Sequence, residues 1–89
     1  MDAEVIKRAL ERLENLPVRV AEWQVEIGED ASGDVAVWVW AKLADTHVDS
    51  EVRQTVREVV RRAAQNEAAA SPQPWVYVRV LERAEEPTK

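Results

Sequence analysis

The chain has 89 residues, of which 46% are hydrophobic and 33% are charged, so it has enough apolar material for one globular domain with a modest core. Its formal net charge of -5 argues against a general affinity for nucleic acids or anionic membranes, and the absence of cysteine excludes disulfides and thiolate chemistry. The sequence shows no signal-peptide pattern and no segment long enough to span a bilayer, so we expect a cytoplasmic protein.

The first predicted element is a helix over residues 3–15. Asp2 is its candidate N-cap, and Pro17 ends it because proline lacks an N–H and restricts the residue before it. The apolar residues recur at helical spacing and form one stripe that faces a core: Val5, Ile6, Ala9, Leu10, Leu13 and Leu16.

Residues 18–34 predict a strand and the turn of a hairpin. Over residues 18–28 the apolar residues alternate with glutamate and glutamine, as in a half-buried strand: Ala21, Trp23, Val25 and Ile27 against Glu22, Gln24 and Glu26. Asp30, Ser32 and Asp34 alternate as at the start of a calcium loop, but alanine stands where the closing glutamate belongs. We interpret the segment as a turn with Asx-type hydrogen bonds.

Residues 34–43 predict a strand that is covered on both faces. Alternation divides its residues into two sets, both mostly apolar: Val35, Val37, Val39, Ala41 and Leu43 on one face, and Ala36, Trp38, Trp40 and Lys42 on the other. Such a strand belongs in the centre of a sheet, and a short chain has difficulty covering both of its faces.

A second helix is predicted to begin at Asp49 or Ser50 and carries the strongest periodicity in the chain: Val52, Val56, Val59, Val60, Ala63 and Ala64. A row of arginines lies beside this stripe (Arg53, Arg57, Arg61), and we interpret them as covering it with their stems rather than binding phosphate. Residues 65–74 predict a loop bounded by prolines.

The only histidine, His47, lies between Asp45 and Asp49 in the loop before the second helix. A metal site usually needs three or four protein ligands, so we interpret His47 as an exposed loop residue. The sequence therefore predicts no metal site and no cofactor.

Residues 74–82 predict a third strand, with Val76, Val78 and Val80 on one face. The chain then forms a single domain over residues 1–82, with a flexible tail over residues 83–89. The element order predicts an α+β fold, an αββαβ two-layer sandwich with both helices on one face of a three-stranded mixed sheet. We expect the strand order 1-2-3, with 2-1-3 (the split βαβ arrangement) as the alternative.

Three of the four tryptophans and the single tyrosine then fall on the sheet face away from the helices. An apolar patch of several hundred Å² is uncommon on a monomer, and tryptophan, tyrosine and arginine are typical of interface hot spots. We predict a protein–protein interaction surface that forms a homodimer or docks another protein, as in regulatory, antitoxin or immunity-type proteins. The candidate partner-binding residues are Trp38, Trp40, Trp75, Tyr77, Arg79 and Leu81.

Several alternatives compete with this prediction. RRM-type sheets bind single-stranded RNA by stacking bases on exposed aromatics, although the glutamates of the first strand oppose this here. The element order resembles that of type II KH domains and ribosome-binding factors, whose GxxG loop this chain lacks, and that of the cytoplasmic domains of cation-diffusion transporters, whose bridging ligands have no counterpart beyond His47. The sequence shows no nucleophile beside a base and no phosphate-binding loop, so we do not expect an enzyme. Alternatively, the aromatics are core, covered by a helix or by the tail.

Overall fold

The computed structural model describes residues 2–14, 16–68 and 74–83. These residues form two helices and three strands, in the order α1 (Ala3–Glu11), β1 (Val20–Glu29), β2 (Val35–Leu43), α2 (Ser50–Glu67) and β3 (Trp75–Leu81).

The three strands form one mixed sheet with β2 in the centre. β1 pairs with β2 in the antiparallel direction and β3 pairs with β2 in the parallel direction, giving the order β1-β2-β3. The prediction of this order is confirmed, and the split βαβ alternative is wrong. The central position suits β2 because both of its side-chain sets are mostly apolar.

Both helices lie on the same face of the sheet. α1 packs against β1 and α2, and α2 also packs against β3. The buried core joins the two helices to one set of strand residues: Ile6, Leu10, Trp23, Val37, Val39, Ala41, Leu43, Val56, Val60, Ala64, Ala68, Val76, Val78 and Val80. The fold is therefore the predicted α+β two-layer sandwich, and the alternative in which the helices enclose the sheet from opposite faces is wrong.

The helix ends differ from the sequence prediction. α1 ends at Glu11, where the N–H of Arg12 donates to the carbonyl of Ala9 and the N–H of Leu13 donates to the carbonyl of Leu10. Leu13 and Leu16 still pack against the core from the irregular segment that follows. α2 continues to Glu67, into the segment predicted as a loop. The reason is the burial of Ala68, which extends the apolar stripe by one more turn.

The hairpin turn is organised by one carboxylate, as the Asx interpretation predicted. Oδ1 of Asp30 accepts hydrogen bonds from the N–H groups of Ser32, at 2.8 Å, and Asp34, at 3.1 Å. Gly33 completes the turn with φ of 82°, a left-handed conformation that glycine adopts without steric cost.

The loop between β2 and α2 is tied to the end of β3. The N–H of Val48 donates to the carboxylate of Glu82, and the N–H of Arg83 donates to the carbonyl of Asp45. Arg83 was predicted as the start of the tail, and residues 84–89 of that tail lie outside the described residues. Within the described ranges, no helix is long and apolar enough to cross a membrane.

Candidate protein interface on the open sheet face

We call the sheet surface opposite the helices the open face. The strand register arranges it in four rungs, each made of one residue from β1, β2 and β3 in turn. These rungs are Gly28–Ala36–Trp75, Glu26–Trp38–Tyr77, Gln24–Trp40–Arg79 and Glu22–Lys42–Leu81. All six candidate partner-binding residues of the sequence analysis lie on this face, two of them on β2 and four on β3.

Two rings at the centre of the open face hold each other in place. The indole of Trp38 and the ring of Tyr77 stack with their centroids 6.0 Å apart and 19° between their planes. The indole also extends over Gly28, where an added Cβ would lie 3.4 Å from Cζ3 of the ring. The hydroxyl of Tyr77 donates to Oδ2 of Asp30 across 3.5 Å, so the hairpin turn orients the tyrosine.

The aromatic rings of the open face are only partly covered by the chain. Trp75 is 61% exposed and Tyr77 is 44% exposed, whereas Trp38 and Trp40 are half-buried. From typical aromatic areas, Trp75 and Tyr77 together leave roughly 250 Å² in water. Burying that area would contribute on the order of 6 kcal/mol, before the costs of association are subtracted.

Charge is distributed unevenly across the open face. The β1 side carries Glu22 and Glu26, and the β3 side carries Arg79, all of them exposed. Nζ of Lys42, at the centre, lies 3.8 Å from the Glu22 carboxylate. Among the residues that the structure describes, Arg79 has no ion pair. One edge of the face is therefore acidic and the other is basic.

The sequence alone did not indicate the two residues that position the aromatic pair, Gly28 and Asp30. Gly28 was predicted only as the end of the first strand and Asp30 only as a turn residue, because their contacts with β2 and β3 depend on the register between distant parts of the chain. The signal available in the sequence was a glycine at an alternate position of β1, where a neighbouring ring has room to lie over the backbone.

The histidine that the sequence did not favour as a metal ligand lies away from the open face. His47 is exposed in the loop before α2, as expected, with φ of 56°. Across residues 2–14, 16–68 and 74–83, no group of three histidine, cysteine, aspartate or glutamate side chains is arranged to hold a metal ion.

Comparison of the chain with protein-family models and with curated proteins finds no match in either set. The candidate functional site is therefore the open face, where exposed rings and Arg79 lie on β3 and glutamates lie on β1.

Proposed function

We propose that the protein is a small protein–protein interaction module that binds its partner through the open face. The observation that carries the proposal is the exposure of Trp75 and Tyr77 on regular strands, beside the exposed guanidinium of Arg79. Tryptophan, tyrosine and arginine are the residue types that contribute most to binding energy at protein interfaces.

The rigidity of the face supports this role. The ring of Tyr77 is restricted by its stacking on Trp38, which reduces the side-chain entropy that is lost when a partner covers it. The exposed glutamates on the β1 side and Arg79 on the β3 side place polar groups beside the aromatic rings, as at protein interfaces. The small size and the net charge of -5 suit a regulatory, antitoxin or immunity-type protein.

Site-specific photo-cross-linking inside cells tests the proposal. A photoreactive amino acid replaces Trp75 in one variant and Val5 in a control, because Val5 is 48% exposed on α1, away from the open face. We expect a discrete protein adduct from position 75 that disappears when Trp38→Glu is added, and no such adduct from position 5. Equal cross-linking from both positions, or none from position 75, would contradict the proposal.

Single-stranded RNA binding is the second candidate, favoured by the exposed rings of Trp75 and Tyr77. Bases would stack on these rings while Arg79 contacts phosphate, but Glu22 and Glu26 would repel the backbone from the β1 side. Titration with labelled nucleotide homopolymers at low salt tests it. Binding that weakens steeply with salt and is lost in Trp75→Ala would support RNA recognition, and absence of binding at low salt would eliminate it.

A further inference from the structure

We infer that the partner of the open face is a second copy of the chain, packed face to face about a two-fold axis that runs parallel to the strands. The inference rests on the proposed function and adds the identity and orientation of the partner. It follows from the opposite charges of the two edges of the face.

The direction of the two-fold axis decides which strands meet. An axis parallel to the strands places β1 of each copy over β3 of the other, with β2 over β2. An axis that lies across the strands places β1 over β1 and β3 over β3. Both arrangements are closed and symmetric, and in both the same surface is used by the two copies.

The charges favour the axis parallel to the strands. In that arrangement Arg79 of each copy lies opposite Gln24 of the other copy and one rung from its Glu26. The side chains of Arg79 and Glu26 are both exposed in the single chain. The other arrangement brings four carboxylates together at one edge and two guanidinium groups at the other. Facing sheets are about 10 Å apart, so these charges interact within about one Debye length.

Two of the four aromatic residues of the open face then lie at the centre of the interface, and the other two, on β3, lie opposite β1 of the second copy. The indoles of Trp38 and Trp40 lie on β2, close to the axis, and meet the same residues of the second copy. Lys42 also lies opposite Lys42 of the second copy, but the carboxylate of Glu22 in the same chain, at 3.8 Å, offsets its charge. A central group of desolvated rings surrounded by polar residues is the usual distribution of binding energy in an interface.

The β3 edge of the sheet is a weaker site for a second copy. Nη2 of Arg53 donates to the carbonyl of Val80 in the edge strand β3, across 2.8 Å, so this backbone acceptor is already engaged. The open face spans about 20 Å along the strands and about 15 Å across them, which is smaller than a standard specific interface. We therefore expect a weak, reversible dimer that forms at high protein concentration.

Charge reversal tests the orientation, with molar mass measured by light scattering across the micromolar and millimolar ranges. We expect wild-type protein to dimerise, Glu26→Arg and Arg79→Glu each to weaken the dimer about tenfold, and the double variant to recover it, because reversal of both charges restores the attraction. Arg8→Glu on the exposed side of α1 changes the net charge as Arg79→Glu does and should leave dimerisation unchanged. Circular dichroism verifies that each variant is folded.

A wild-type monomer at every concentration would overturn the inference while leaving the cross-linking test of the proposed function in force. Single reversals without effect, or a double variant no better than the singles, would also overturn it.

Cysteine cross-linking gives a second readout, since the chain has no cysteine of its own. A short bismaleimide should join a Gln24→Cys chain to an Arg79→Cys chain in an equal mixture, and should not join either variant to itself. Efficient self-cross-linking of Gln24→Cys alone would indicate the axis across the strands and contradict the inference.

Discussion

Tyr77 stacks on Trp38 across the parallel pair of β2 and β3, with the two rings 19° from parallel. The contact joins an edge strand to the central strand on the one sheet face that the helices leave uncovered. The contact lies within one copy of the chain, so its strength can be measured without any partner.

A double-mutant cycle should detect this contact. We expect Trp38→Leu and Tyr77→Leu to show a coupling free energy of about 0.5–1.5 kcal/mol in urea unfolding at a concentration where the protein is monomeric. Trp40→Leu with Tyr77→Leu is the matched control, since the structure shows no stacking between these two described residues. Equal coupling in both cycles would contradict a specific stacking interaction.

The hairpin turn depends on the Asp30 carboxylate. We expect Asp30→Ala to lower the free energy of unfolding by about 1–2 kcal/mol, because the N–H groups of Ser32 and Asp34 lose their acceptor. Asp34→Ala removes a carboxylate from the same turn but retains both hydrogen bonds, and should change stability by less than about 0.5 kcal/mol. Similar losses in the two variants would indicate a general charge effect instead.

Alanine substitution at the two glycines of the hairpin should change the stability of the protein in opposite directions. Gly33→Ala should be destabilising by about 1 kcal/mol or more, because φ of 82° places a Cβ in a strained conformation. Gly28→Ala should stabilise the protein by about 0.4–1 kcal/mol, since its Cβ would make an ordinary contact with Trp38 and the unfolded chain would lose entropy. Thermal unfolding of both variants beside the wild type measures these shifts, and a loss of stability in Gly28→Ala would show that the indole cannot accommodate the methyl group.

Substitutions on the buried side of α1 should lower the stability of the protein far more than substitutions on its exposed side. Leu10 is 1% exposed and Val5 is 48% exposed. We expect Leu10→Ala to cost about 2–5 kcal/mol through a cavity under β1, and Val5→Ala to change stability by less than about 0.5 kcal/mol. Chemical denaturation distinguishes the two, and equal costs would mean that the helix packs in a different orientation.

The sequence was sufficient to predict the architecture and the composition of the open face. Two-residue alternation assigns each strand side chain to one face of the sheet, so the sequence predicts Trp38, Trp40 and Tyr77 on the same face without knowledge of the strand register. The double apolar character of β2 predicted its central position. Both inferences use only local spacing along the chain, which the sequence displays directly.

The contacts on that face were not predictable in the same way. The stacking of Trp38 on Tyr77 and the hydrogen bond from Tyr77 to Asp30 depend on the register between strands that are distant in the sequence. The end of α2 was missed for a similar reason, because Ala68 is buried by tertiary packing that its small side chain does not indicate. Local patterns therefore predicted the surface but not the arrangement that gives it a fixed shape.

The central claim is that another protein covers the open face in the cell, and oxidative labelling of tryptophan and tyrosine tests it most directly. Mass spectrometry compares the labelling of Trp75 and Tyr77 in cells that have been permeabilised and treated with ribonuclease with the labelling of the dilute purified protein. Trp23, which is only 8% exposed and lies on the helix side of the sheet, reports any unfolding. We predict strong protection of Trp75 and Tyr77 in cells, with Trp23 unreactive in both samples. Equal labelling of Trp75 and Tyr77 in the two samples would contradict the claim.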